Sequence, residues 1–163
     1  MNQLEVYKSA IMMERHGKAF YEHVASMTES DAVRNIFAFM AKEEQLHLEQ
    51  LSIQYAHYMR NNTFLIKEFP LGDTGFVAKM LTKDICNQIN AASFEAAAIS
   101  AAIDFESKAV EVYSQAAKNA TDVAQKAIFT WLSEWEKGHH RILNQLNAEL
   151  REAVWYDNKF WPF

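Results

Sequence analysis

The segment Phe37–Leu51, FAFMAKEEQLHLEQL, carries a conflict between pattern and chemistry. Alternating steps of three and four residues pick out Phe37, Met40, Glu44, His47 and Leu51. This is the spacing of one helix face turned toward a helical neighbour. Three of the five positions are apolar, as a buried seam requires, yet a glutamate and a histidine sit among them. Ninety-two residues later the pattern returns as Phe129, Leu132, Glu136, His139 and Leu143 (136 − 44 = 92).

The repeat extends over most of the chain. Glu14 and Tyr21 recur as Glu106 and Tyr113, and Ala10, Ile11, Ala25 and Ile36 recur as Ala102, Ile103, Ala117 and Ile128. The first helix reads Leu4, Tyr7, Ile11, Glu14, Lys18, Tyr21, Ala25 along its seam. The third reads Ile99, Ile103, Glu106, Val110, Tyr113, Ala117. Each helix therefore brings one carboxylate inside, and the second and fourth add an imidazole one turn on.

The 3.6-residue periodicity predicts four long helices. The first spans about Leu4 to Ser26. Thr28 and Ser30 offer capping oxygens for a second, with Asp31 in its first turn, reaching about Arg60. Ser93 caps a third, Phe94 to Asn119, and Thr121 or Asp122 caps a fourth that ends near Trp155. Residues 61–92 form a long connection holding Pro70, Gly72 and Gly75, with a short helix expected from Phe76 to Ile89. Short links make helices one and two antiparallel neighbours, and likewise three and four. The long connection, at about 3.3 Å per extended residue, can cross a whole bundle. The expectation is one all-α domain over 1–163. It is an antiparallel four-helix bundle of two hairpins joined by a crossover, with an aromatic-rich tail at 155–163.

Composition narrows the function. The chain has 163 residues, enough for a core. Its net charge of −5 gives no support for nucleic-acid binding. No segment has the apolar length of a membrane span, and the first twenty residues read as an amphipathic helix rather than a signal peptide. One cysteine, Cys86, leaves no disulfide and no Cys-rich iron or zinc site within the chain, and reads as a small buried apolar residue. A reducing cytoplasm is the expected location. Subtracting four buried glutamates leaves 21 − 4 = 17 acids against 16 bases, a balance compatible with self-association, a homodimer first.

Four unpaired glutamates in an apolar core would be strongly destabilising. Two divalent cations would balance their charge. A carboxylate-rich set with one imidazole per metal suits iron, with manganese or a mixed pair as alternatives. The predicted ligands are Glu14, Glu44, His47, Glu106, Glu136 and His139. Glu44 and Glu136, beside the histidines, are expected to bridge, and Glu14 and Glu106 to be terminal. A lone Glu-x-x-His is weak, since chance gives about half a match in a chain of this composition. Two matches, each 30 residues after a seam glutamate, are specific.

These residues resemble the rubrerythrin branch of the ferritin-like di-iron proteins. The likeness lies in ERHGKAFY from Glu14 to Tyr21, Glu44-Gln-Leu-His47, ESKAVEVY from Glu106 to Tyr113, and Glu136-Lys-Gly-His139. It implies an oxo- or carboxylate-bridged di-iron centre that reacts with hydrogen peroxide or dioxygen. It covers the four helices and neither the crossover nor the tail. Typical relatives add a rubredoxin-like Cys₄ iron domain, which one cysteine cannot build. Electrons must then come from an external donor or from Fe(II) itself. Relatives also use a seventh carboxylate one turn beyond the terminal ligand of helix three. Here Ala109 stands there, matched by Gly17, so the site looks closer to a symmetric six-ligand ferroxidase arrangement. The resemblance implies an oxidoreductase of the rubrerythrin-like peroxidase type. A ferroxidase or iron-handling protein is the alternative, and a bundle merely stabilised by metal is the third reading.

Other residues carry two readings each. Tyr21 and Tyr113 are either functional neighbours of the site, hydrogen-bonding a ligand or passing an electron, or ordinary core tyrosines. Gly17 either leaves room for an oxidant or allows close helix packing. Glu43 and Trp135 are equivalent positions that break the repeat, as do Lys18 and Val110. Glu43 reads as a surface glutamate, with a role beside a ligand histidine as the alternative. His16, His23, His57 and His140 read as surface. Trp155, Tyr156, Phe160, Trp161 and Phe163 are expected to cover the bundle or a subunit interface.

Overall fold

The computed structural model describes residues 3–71 and 94–157. The expected helix at Phe76–Ile89, the caps and glycines of that stretch, Cys86, and the tail from Asn158 onward lie outside the described residues. Four helices make up the fold among those described: α1 Gln3–Met27, α2 Asp31–Asn61, α3 Phe94–Asn119 and α4 Val123–Asp157. The helix α4 thus continues through Trp155 and Tyr156.

Local chemistry sets the ends. Ser30 is the N-cap of α2, its hydroxyl accepting from the Val33 amide at 3.3 Å. Thr28 accepts from the Ser30 amide at 3.2 Å and donates to Glu95 at 2.9 Å, tying the α1–α2 turn to the start of α3. Asn62 ends α2 in the left-handed region, φ 54°, and its N–H bonds the Tyr58 carbonyl at 2.8 Å. Of the two candidate caps for α4 it is Asp122 that accepts, from the Gln125 amide at 2.9 Å.

The main packing is within the hairpins, α1 on α2 and α3 on α4, and the hairpins meet through α1 against α3 and α2 against α4. Tyr21 reaches Glu106 while Tyr113 reaches Glu14, so α1 and α3 run antiparallel. The repeat is therefore a pseudo-twofold perpendicular to the bundle axis. It also puts the end of α2 and the start of α3 at opposite ends of the bundle. The chain leaving α2 turns back against it: Gln54 clamps the Leu65 backbone through two hydrogen bonds, 2.9 and 2.7 Å, and Phe64 stacks on Tyr7 and Tyr58.

The core is layered along the bundle axis. One apolar cluster gathers Tyr21, Val33, Ile36, Phe37, Met40, Ile99 and Leu143. The other gathers Tyr7, Leu51, Ala109, Tyr113, Ile128, Phe129 and Leu132. The glutamates and histidines lie between these caps. On α1 the buried stripe is Tyr7, Ala10, Glu14, Gly17, Tyr21 and Val24; on α3 it is Ile99, Ala102, Glu106, Ala109, Tyr113 and Ala117. This corrects the expected seams: Ile11, Lys18, Ala25, Ile103 and Val110 are half-buried flanks. Small residues hold the seam because α1 and α3 approach closely. A Cβ on Gly17 would meet the Phe105 ring at 2.7 Å. Lys18 turns outward to pair with Glu22 at 3.3 Å.

Candidate metal centre

All six predicted ligands converge. Glu14 comes from α1, Glu44 and His47 from α2, Glu106 from α3, Glu136 and His139 from α4, and each is at most 2% exposed. The Glu-x-x-His spacing puts both side chains of a pair on one helix face, one turn apart. Two groups form, Glu14, Glu44, His47, Glu136 and Glu44, Glu106, Glu136, His139, each with its ligand atoms within 4.8 Å of one another.

The carboxylate oxygens divide between the two imidazoles. Glu44 turns Oε2 toward His47 Nδ1 at 3.3 Å and Oε1 toward His139 Nδ1 at 3.5 Å. Glu136 turns Oε1 to His47 at 3.0 Å and Oε2 to His139 at 3.0 Å. These two carboxylates stand between the imidazoles, which face each other 5.8 Å apart. Glu14 approaches only His47, at 3.0 Å, and Glu106 only His139, at 3.4 Å.

The protein alone does not satisfy this layer. Glu44 Oε1, Glu106 Oε2, both oxygens of Glu136, His47 Nε2 and both nitrogens of His139 are buried without a hydrogen-bond partner. The contacts to Glu136 and His139 are close but lack hydrogen-bond geometry. Buried orphans of this kind are costly. Protons partly stand in for cations. Burial, reinforced by neighbouring carboxylates, holds Glu14 and Glu106 well above the ordinary carboxylate range. Burial works against charge on His47 and His139, but the surrounding carboxylates outweigh it and hold both imidazoles well above their usual value. Burial would likewise raise Glu44 and Glu136. Glu44 is instead held low by the close approach of Glu14 and both imidazoles, and Glu136 by the charge of His47 and the nearness of His139. Four carboxylates and two imidazoles aimed at one volume fit hard or borderline divalent cations.

The tyrosines are exchanged between hairpins. Tyr21 on α1 donates to Glu106 Oε1 on α3, and Tyr113 on α3 donates to Glu14 Oε1 on α1. Each fixes one oxygen of an outer carboxylate; on Glu14 the other oxygen, Oε2, faces His47, whereas on Glu106 the same Oε1 also faces His139. Burial, then the nearby carboxylates, hold both phenols protonated and so able to donate.

Glu43 is half-buried, and its Oε2 accepts from Trp135 Nε1 at 2.7 Å, so the two positions that break the repeat bond each other across the pseudo-twofold. The Trp135 ring meets His47 edge-on at 5.3 Å. Trp131, not singled out from the sequence, does the same at 5.4 Å. Its place four residues before Trp135 was the available signal, since i and i+4 share a helix face. His16 and His23 are exposed; His57 and His140 are half-buried and bond Asn61 and Asn144.

A carboxylate and imidazole layer enclosed in an antiparallel bundle, with two Glu-x-x-His pairs, defines a metal-binding protein of the ferritin-like class. The chain belongs to the rubrerythrin family, whose model matches residues 5–147. A hypothetical protein from Pyrococcus furiosus shares the fold, with a TM-score of 0.66 at 20% identity over 93% of this chain and 92% of that one. No curated protein matches the chain. Among the described residues no helix is long and apolar enough to cross a membrane.

Proposed function

We propose that this protein is a non-haem di-iron oxidoreductase that uses hydrogen peroxide or dioxygen as oxidant, a rubrerythrin-like peroxidase. Glu14 and His47 would hold one iron and Glu106 and His139 the other, with Glu44 and Glu136 common to the two groups. The observation that carries this reading is the division of the Glu44 and Glu136 oxygens between the two imidazoles. Iron bound there supplies one-electron redox chemistry. The protein's own contributions follow from its residues. Tyr21 and Tyr113 orient the outer carboxylates, and the apolar clusters above and below exclude bulk water. Electrons come from an external donor, and the working form is a cytoplasmic homodimer.

A ferroxidase that oxidises Fe(II) for storage or delivery is the second reading. It is favoured by Gly17 and Ala109, which add no further carboxylate to the symmetric set of six. Protein made with iron supplementation should carry about two irons per chain. Rapid mixing of the ferrous protein with peroxide and, separately, with oxygen then distinguishes the two. Peroxide-driven oxidation sustained by an electron donor supports the peroxidase. Iron accumulating far beyond the bound pair supports the ferroxidase. Unchanged metal content in Glu44→Ala and His139→Ala would remove the basis of both, and metal analysis decides between iron and manganese.

A further inference from the structure

The internal repeat fails most visibly beside His47. Trp131 and Trp135 occupy one face of α4, where the other half has Phe39 and Glu43. Both indoles set their planes nearly perpendicular to the His47 ring, at 83° and 88°. They meet each other at 4.9 Å. Trp131 then stacks on Phe69 at 5.1 Å and donates its N–H to the Pro70 carbonyl at 2.8 Å, toward the protein's exterior. A continuous aromatic column thus runs from a ligand imidazole outward.

The partner of Trp135 gives the column a chemical role. A half-buried indole needs an acceptor for its N–H, and a carbonyl suffices, as it does for Trp131. Trp135 has a carboxylate, Glu43, which is costlier to desolvate than a carbonyl. A carboxylate can do what a carbonyl does not: take the proton. An indole that loses an electron becomes a strong N–H acid, and a base already at 2.7 Å removes that proton without rearrangement.

We infer that Trp135, with Trp131 behind it, is a one-electron donor site serving the metal centre from the His47 side, and that Glu43 is its base. The inference rests on the di-iron reading above. Reduction of hydrogen peroxide to two waters consumes two electrons and two protons. Two Fe(II) supply both electrons; once the pair has been oxidised and the external reductant has returned only one electron to it, the second leaves Trp135. The indole N–H bond breaks, its proton bonds to Glu43, and a neutral indolyl radical remains; the two protons that complete the waters come from solvent. An external one-electron reductant arriving at Trp131 returns the electron, and Glu43 returns the proton. Oxidising equivalents are thereby drawn away from the buried glutamates and histidines toward a replaceable supply.

The test uses the full chain, loaded with Fe(II) and labelled with ring-deuterated tryptophan. It is mixed with substoichiometric reductant and excess hydrogen peroxide, then freeze-quenched for electron paramagnetic resonance. A radical whose spectrum narrows on deuteration is expected. It should disappear in Trp135→Phe. In Glu43→Gln, which keeps an oxygen acceptor but takes no proton, its yield should fall about tenfold. In Trp131→Phe it should form but be quenched more slowly by added ascorbate. Iron content and ferrous loss are read by Mössbauer spectroscopy on the same samples. Normal iron oxidation with no tryptophan radical, or a radical undiminished in both Trp135→Phe and Glu43→Gln, overturns this inference alone. Failure of the parent protein to bind or oxidise iron overturns the di-iron reading first.

Discussion

Replacing Gly17 with alanine probes the close approach of α1 to α3. A Cβ there falls 2.7 Å from Cε1 and 2.9 Å from Cζ of Phe105, and 3.6 Å from Cδ of Glu44. Carbon atoms rest at about 3.5 Å or more, so the ring edge must retreat by about 3.5 − 2.7 = 0.8 Å. Two effects then oppose each other. Alanine stabilises a helix interior by about 1 kcal/mol over glycine. Overpacking destabilises by about 1–3 kcal/mol. Phe105 also meets the edge of Tyr21 at 6.2 Å, and Tyr21 is pinned through its hydroxyl to Glu106, so the ring has little freedom to move inward. The net expectation is a loss of about 0–2 kcal/mol. Guanidinium denaturation of metal-free Gly17→Ala, Phe105→Ala and the double variant measures it. With Phe105 truncated the clash is gone and only helix propensity remains, so Gly17→Ala should then stabilise by about 1 kcal/mol. The coupling energy between the sites should be about 1–3 kcal/mol. If Gly17→Ala stabilised the parent as much as it stabilised Phe105→Ala, the helices would not be in contact there.

Further outcomes follow from the centre. Glu44→Ala removes a carboxylate shared by both groups and should abolish binding of both metals, whereas Glu14→Ala should leave about one per chain; equal stoichiometry in the two variants, by metal analysis, would contradict the shared role. Tyr113→Phe and Tyr21→Phe each remove the donor to one outer carboxylate and should weaken metal affinity by about 10–100-fold in chelator competition; unchanged affinity would make the tyrosines packing residues only. Glu14, Glu106, His47 and His139 are held above their ordinary values in the metal-free protein, so their contribution is complete below the unfolded values and lost as pH rises. Glu44 and Glu136 are held low, so their contribution is lost as pH falls. The thermal midpoint of metal-free protein should therefore fall as pH is raised from about 6, whereas metal affinity should rise because protons leave the ligands; a metal-free midpoint that climbs over that range would refute the sign.

Periodicity along one chain was enough to read the four helices, the two hairpins, and all six residues of the buried polar layer. The reason is that a glutamate or histidine on an apolar face is anomalous within its own helix, with no knowledge of its neighbours. The nearness of Glu44 and Glu136 to the imidazoles was legible too, because Glu-x-x-His puts the glutamate one turn from a histidine. Neighbour relations were not legible. That Tyr21 serves Glu106 and Tyr113 serves Glu14 depends on α3 running antiparallel to α1, which the crossover decides. The seam drifted from Ile11, Lys18, Ile103 and Val110 to Ala10, Gly17, Ala102 and Ala109, because periodicity defines a face only to within about one residue while packing distance selects the small side chains. Glu43 read as a surface residue for the same reason. Its place on α2 marks it as a flank position, and only the fold puts Trp135 opposite it. A pattern within one helix reports what that helix must bury; which side chain meets which is a property of two helices at once, and the tertiary structure alone supplies it.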